Sequence, residues 1–149
     1  MEWSPSEVRK AILEAHAVLR GKLDEMEALM ARVAQGEHAA ESTLRVVVLD
    51  FQASFLTHIA HEEMVLRPVL RTIDAWGEVR VDRMDAEHQE QRKVLEELRL
   101  MMTTQDPAQC AEPLRRFVDD VRADMAAEER DALPEDLLKD DPISTGPSG

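Results

Sequence analysis

Phe55-Leu56-Thr57-His58-Ile59-Ala60-His61-Glu62-Glu63-Met64-Val65-Leu66-Arg67-Pro68 is the stretch on which the reading of the chain turns. Just upstream, Leu44, Val48 and Phe51 recur at intervals of three and four, the spacing that lines one face of an α-helix, and Phe55 continues the stripe. The next two positions in phase are His58 and Glu62, neighbours on that same face. Only beyond them does an apolar stripe resume, at Val65 and Val69, with Pro68 and the Asp74-Ala75-Trp76-Gly77 turn marking its decay. A core-facing stripe that turns ionisable for one helical turn is the informative feature.

Working outward, the same interruption recurs in three further stripes. A first helix is announced by Ser4-Pro5-Ser6-Glu7, with Ser4 as cap, Pro5 at the first helical position and Glu7 closing a capping box. It carries Val8, Ile12, Leu19, Leu23, Met26, Met30 and Val33 up to Gly36, and His16 fills the gap between Ile12 and Leu19. A third helix reads Val81, Met84, Leu95, Leu98 and Met102, with His88 inside it, and Thr104 to Pro107 breaks it. A fourth begins near Ala111 with Leu114, Phe117 and Val121 and continues on the same face to Asp124 and Glu128, with an end expected near Lys139. Strand signals are nearly absent. The pattern predicts an all-α, antiparallel up-down-up-down four-helix bundle over residues 1–139, followed by a flexible C-terminal tail, residues 140–149.

Three imidazoles, His16, His58 and His88, and three carboxylates, Glu62, Asp124 and Glu128, therefore point inward. At about 1.5 Å of rise per residue they all fall between about 14 and 21 Å from one end of an antiparallel bundle. Burying three carboxylates without partners would cost several kcal/mol apiece, so a cation is expected among them. Imidazole nitrogen mixed with carboxylate oxygen suits iron, zinc or manganese, whereas magnesium and calcium prefer oxygen alone. The methionines read as core filler, which disfavours copper.

The two halves of the chain also repeat. His16 with His58-x-x-x-Glu62 precedes, and His88 with Asp124-x-x-x-Glu128 follows; each terminal Glu is doubled, as Glu62-Glu63 and Glu128-Glu129, and a Pro lies six residues beyond, at Pro68 and Pro134. Two related hairpins facing one another predict a symmetric pair of metal positions bridged by Glu62 and Glu128. Helical phase prefers Glu128 over Glu129 as the inward acid. Glu63, Asp85 and Glu87 could orient an imidazole through its second nitrogen, although solvation is the expectation for each. His61 lies off the stripe and His38 follows a turn, so neither joins the site.

His58 to Pro68, with His16 in Glu14-Ala15-His16-Ala17-Val18-Leu19-Arg20 and His88 in Ala86-Glu87-His88, resembles the hemerythrin-like proteins, also called the HHE cation-binding domain. The resemblance spans Val8 to about Leu138. It implies a four-helix bundle around a non-haem iron centre of one or two ions, with roles in oxygen binding or sensing, iron handling, or responses to reactive species. By position, His16 and His58 would ligate one iron, Glu62 would bridge, and His88 with the fourth helix would serve the other. Where the oxygen carriers of the family place a second third-helix His, this chain has Arg92, and where they have a fourth-helix His it has Asp124. A site richer in carboxylate favours ferric iron and shifts the expectation toward storage, sensing or oxidation. Arg92 could instead pair with Glu128 or Asp124, leaving one half metal-competent.

Composition bounds the alternatives. With 18 basic residues against 31 acidic ones the net charge is −13, which disfavours nucleic acid and anionic membrane as partners. No stretch is long and apolar enough to span a bilayer, no signal peptide is evident, and the one cysteine, Cys110, can form no internal disulfide, so a cytoplasmic address is expected. A metal ion and a small diatomic or peroxide ligand are the expected partners. Two other readings stay open: the same centre turning over as an oxidase or peroxidase, and a metal-free interaction module in which the inward polar groups pair among themselves.

Overall fold

Ser4 Oγ accepts a hydrogen bond from the Glu7 backbone N–H while the Glu7 carboxylate takes the Ser4 N–H, the expected capping box. In the computed structural model, which describes residues 2–140, the helix it starts, α1, spans Pro5–Ala34; α2 spans Ala39–Ile73, α3 Gly77–Thr104 and α4 Ala111–Asp131, with a single 3-10 turn, Pro107–Cys110, leading into α4. No strand occurs among the described residues. Gly36 turns the chain from α1 toward α2 at φ +86°, a left-handed conformation that suits glycine. The guanidinium of Arg45 on α2 donates to the carbonyls of Met102 and Gln105 and so satisfies the end of α3.

The expected stripes are the buried faces, with three corrections. Toward the end of α1 it is Leu29 that is buried, while Met30 and Val33 are only half-buried. Past Glu62 the inward positions of α2 are Leu66 and Leu70, whereas Val65 and Val69 are only half-buried. The period of four set by His58 and Glu62 carries straight on, and Pro68 sits on the exposed side, so α2 continues through it to Ile73. The fourth helix stops at Asp131 rather than near Lys139. Pro134 cannot continue it, and the Ala132 and Leu133 N–H groups close instead on the Glu128 carbonyl, at 2.8 and 3.1 Å. The chain then folds Leu133 and Leu138 into the core. Asp140, expected to open the tail, accepts hydrogen bonds from the Ser6 N–H and hydroxyl; residues 141–149 lie outside the described residues.

The core divides into two apolar clusters, and the division positions the site. One gathers Leu19, Leu23 and Met26 of α1 with Phe51, Phe55, Leu95, Leu114 and their neighbours. The other is smaller: Val8 and Ile12 of α1, Leu66 and Leu70 of α2, Val81 and Met84 of α3, and Leu133 and Leu138 after α4. On every helix the residue between the two clusters is ionisable: His16, His58 and Glu62, His88, and Glu128. α1 packs along α2 and α4, and α2 along α3, each more closely than α3 along α4.

Gly77 is buried at the start of α3, where an added Cβ would overlap the Leu70 and Arg71 carbonyl oxygens. Gly77→Ala should therefore lose about 1–3 kcal/mol by urea denaturation. Gly21, in the middle of α1 with nothing near its missing Cβ, offers the contrast. Gly21→Ala should gain about 0.5–1 kcal/mol from helix propensity alone.

Candidate metal centre

His16 follows Ile12 by one turn of α1, and Glu62 follows His58 by one turn of α2, so the packing that buries the apolar stripes draws these side chains in with them. Apart from the Cys110 thiol, His16, His58, Glu62 and His88 are the buried ionisable residues among those described, each at most 7% exposed. His16, His58, Glu62 and Glu128 each place one ligand atom so that all four atoms lie within 4.8 Å of one another. His16 Nε2 is 2.9 Å from Glu128 Oε1 and 3.9 Å from Glu62 Oε2, and His58 Nε2 is 3.1 Å from Glu62 Oε2. Yet His16 Nε2, Glu62 Oε2 and His58 Nδ1 make no hydrogen bond. Buried polar atoms converging without hydrogen bonds suit a shared cation, since each would otherwise bear its full desolvation cost. They border a cavity of about 10 Å³, the space of about one water-sized particle.

The second acid of each doubled pair supports an imidazole from outside. Glu129 Oε2 accepts from His16 Nδ1 at 2.6 Å, and Arg20, one turn after His16, grips both Glu129 oxygens at 2.8 and 3.1 Å. Glu63 Oε2 takes His88 Nδ1 at 3.0 Å, and Arg92, one turn after His88, grips both Glu63 oxygens at 2.8 and 2.6 Å. The two clamps are equivalent in sequence and in contact. With its Nδ1 proton held by Glu129, His16 directs the Nε2 lone pair inward, the arrangement that carboxylates commonly impose on metal-ligating histidines. The clamps correct two expectations: Arg92 pairs with Glu63, not with Glu128 or Asp124, and Glu63 is a buttress rather than a solvated residue.

His88 lies against the same centre with Nε2 2.9 Å from Glu62 Oε1, so that Glu62 faces His58 with one oxygen and His88 with the other. Asp124, expected to point inward, lines the same cavity but accepts a hydrogen bond from Gln91 Nε2 at 3.2 Å and stands outside the four-atom group. Gln91 donates equally to Glu87, half-buried beside it. Asp85 pairs with Arg67 instead of an imidazole. His61 stacks edge-on against Trp3, and His38 meets Glu41 in solvent, so both stay off the site.

The electrostatics describe a centre with protons to give up. Burial would raise Glu62, but the adjoining His58, His88 and Glu128 outweigh it and hold the carboxylate well below its ordinary range. Burial and the negative charge of Glu62 drive Glu128 far the other way, well above the ordinary carboxylate range. Burial lowers His16, leaving it neutral near pH 7, and the opposing pull of Glu129 does not reverse this. For His88 burial is outweighed by Glu62 and Glu63, and its pKa rises. Arg92 first, then His88, hold Glu63 down at about 2.

Comparison with known proteins agrees with this chemistry. A family model described as the hemerythrin HHE cation binding domain matches residues 8–135. No curated protein and no solved structure matches the chain.

Two outcomes are expected of the centre. A divalent cation displaces protons from Glu128 and His88, whose metal-free pKa values are raised, so loading near pH 6 should release protons, with affinity rising as pH rises; an indicator dye in weak buffer measures the release. Glu129→Ala, which frees His16 Nδ1, should weaken metal binding by about 10–100-fold in a competitive chelator titration while leaving the helical circular dichroism unchanged.

Proposed function

The chain belongs to the hemerythrin HHE cation-binding domain family, and from that premise we propose that it is a non-haem iron protein whose centre binds or senses oxygen, reactive species such as peroxide, or iron itself. The observation that carries the reading is the convergence of His16, His58, Glu62 and Glu128 within 4.8 Å, with three of their atoms buried and unpartnered. Two imidazoles and two carboxylates suit iron, manganese or zinc. Copper(I) would call for sulfur ligands, and calcium or magnesium for oxygen throughout.

In this reading His16 and His58 hold one ion, Glu62 and Glu128 reach toward both positions, and His88 with Asp124 serves the second. Asp124 meets that role by exchanging its Gln91 hydrogen bond for an ion. Iron supplies a Lewis acid that also changes oxidation state, with coordination positions for a small ligand. The protein's part is to hold the Nδ1 protons of His16 and His88 on Glu129 and Glu63, and to keep water out with Phe55 and Met125 at the cavity wall. Arg92, turned onto Glu63, adds no ligand where an oxygen carrier would have one. That favours sensing, storage or oxidation over reversible oxygen carriage. An antiparallel up-down-up-down course is supported by the order in which successive helices cross the two apolar clusters, which alternates from α1 to α4. A cytoplasmic address fits the single buried free thiol, Cys110.

Anaerobic ferrous loading followed by air tests the reading. One or two irons per chain are expected, with ligand-to-metal charge-transfer bands in the near-ultraviolet and visible, and with stoichiometry and bands lost in His58→Ala and Glu62→Ala. Wild-type protein that takes up no metal while keeping its fold would instead make the chain a metal-free interaction module.

A further inference from the structure

The approximate two-fold relation between the α1–α2 half and the α3–α4 half breaks down beside the histidines. His16 is preceded by Ala15 and followed at the third residue by Leu19; His88 has Glu87 and Gln91 at those two positions, and Asp124 stands where the first half has His58. In the first half the position is held by Leu19, buried in the apolar core, and in the second by the hydrogen-bonding Gln91. Gln91 Nε2 spans the seam from α3, donating to Glu87 Oε1 and to Asp124 Oδ2 on α4, each at 3.2 Å.

This polar bridge lies between α3 and α4, which approach each other less closely than α1 and α2, α2 and α3, or α1 and α4 do. Outside it runs a cleft of about 250 Å³ walled by Phe55, Val94, Leu95, Phe117 and Val121, with the exposed acids Glu90 and Asp120 at its mouth. Phe55, Gln91 and Asp124 border both this cleft and the small cavity at His16, His58, Glu62 and Glu128. The two spaces thus meet at these three side chains, of which the Gln91 amide is the one hydrogen-bonded across to α4. Its two hydrogen bonds are long, and both acceptors are only half-buried, so water can replace the amide as it swings aside.

We propose that the α3–α4 seam is the passage to the metal centre, with the Gln91 amide as its door and the acidic mouth admitting neutral molecules and cations in preference to anions. The proposal rests on the metal-centre reading above. The apolar walls favour small uncharged molecules, and Glu90 and Asp120 repel an approaching anion before it reaches the door.

The test uses the full chain and three probes in stopped flow: cobalt(II) uptake by metal-free protein, and the spectral response of iron-loaded protein to nitric oxide, which is neutral, and to azide, which is anionic. Gln91→Ala, which removes the door, should speed all three by about threefold or more. Val94→Trp, which fills the cleft away from the ligands, should slow all three by about tenfold at unchanged metal stoichiometry. Asp120→Lys should speed azide by about threefold at low salt and leave nitric oxide unchanged. Full metal stoichiometry with unchanged rates in Gln91→Ala and in a folded Val94→Trp would overturn the passage alone. Equal response of azide and nitric oxide to Asp120→Lys would overturn the selectivity. A wild-type chain that binds no cobalt would overturn the metal-centre reading and the passage with it.

Discussion

Glu62 and Glu128 are brought into one buried space by two helices whose apolar faces leave them nowhere else to go, and the rest of the structure accommodates that encounter. Two carboxylates at such range cannot both ionise in a dry interior, so in the metal-free protein one holds its proton and the other takes its charge support from His58 and His88. The neutral His16 and the elevated pKa of His88 follow from the same balance. A cation would satisfy all of these groups at once. The core accordingly divides into a layer on each side of the acids instead of forming one continuous apolar interior.

The outer clamps make the inner arrangement specific. An imidazole free to rotate could offer either nitrogen, or could pair with a neighbouring acid and leave the centre. Glu129 and Glu63 remove that choice for His16 and His88, and Arg20 and Arg92 in turn fix the two acids by forked hydrogen bonding. Arg92, which as a departure from the family pattern looks like a lost ligand, is the counterpart of Arg20 and completes the second clamp.

Much of this was legible in the sequence because burial follows helical period. The four helices, the polar break in each stripe, and the preference for Glu128 over Glu129 all rest on counting threes and fours along a face. The clamps were not legible in that way. Glu63 and Glu129 each follow an inward acid by one residue, which rotates them about a quarter-turn toward what looks like solvent. Only the neighbouring helix converts that flank into a sheltered edge. The doubling of the acids, noticed as a repeat, was the available signal, and its partner signal was an Arg one turn after each His. The early end of α4 was missed for a related reason: Leu133, Leu137 and Leu138 continue an apolar pattern, but Pro134 forces them to meet the core by a turn and not as helix. For Asp124, phase gives the right face, but Gln91 on a helix far away in sequence decides which partner it meets.

The termination of α4 ties shape to chemistry through a single residue. Glu128 sends its carboxylate toward the buried histidines and offers its main-chain oxygen to Ala132 and Leu133, where the rod ends. One residue thus carries the inward acid and closes the helix. Sliding the last turn by a residue would withdraw the acid and unseat Leu133 and Leu138 from the smaller apolar cluster, so the register of the helix end and the depth of the acid are set together.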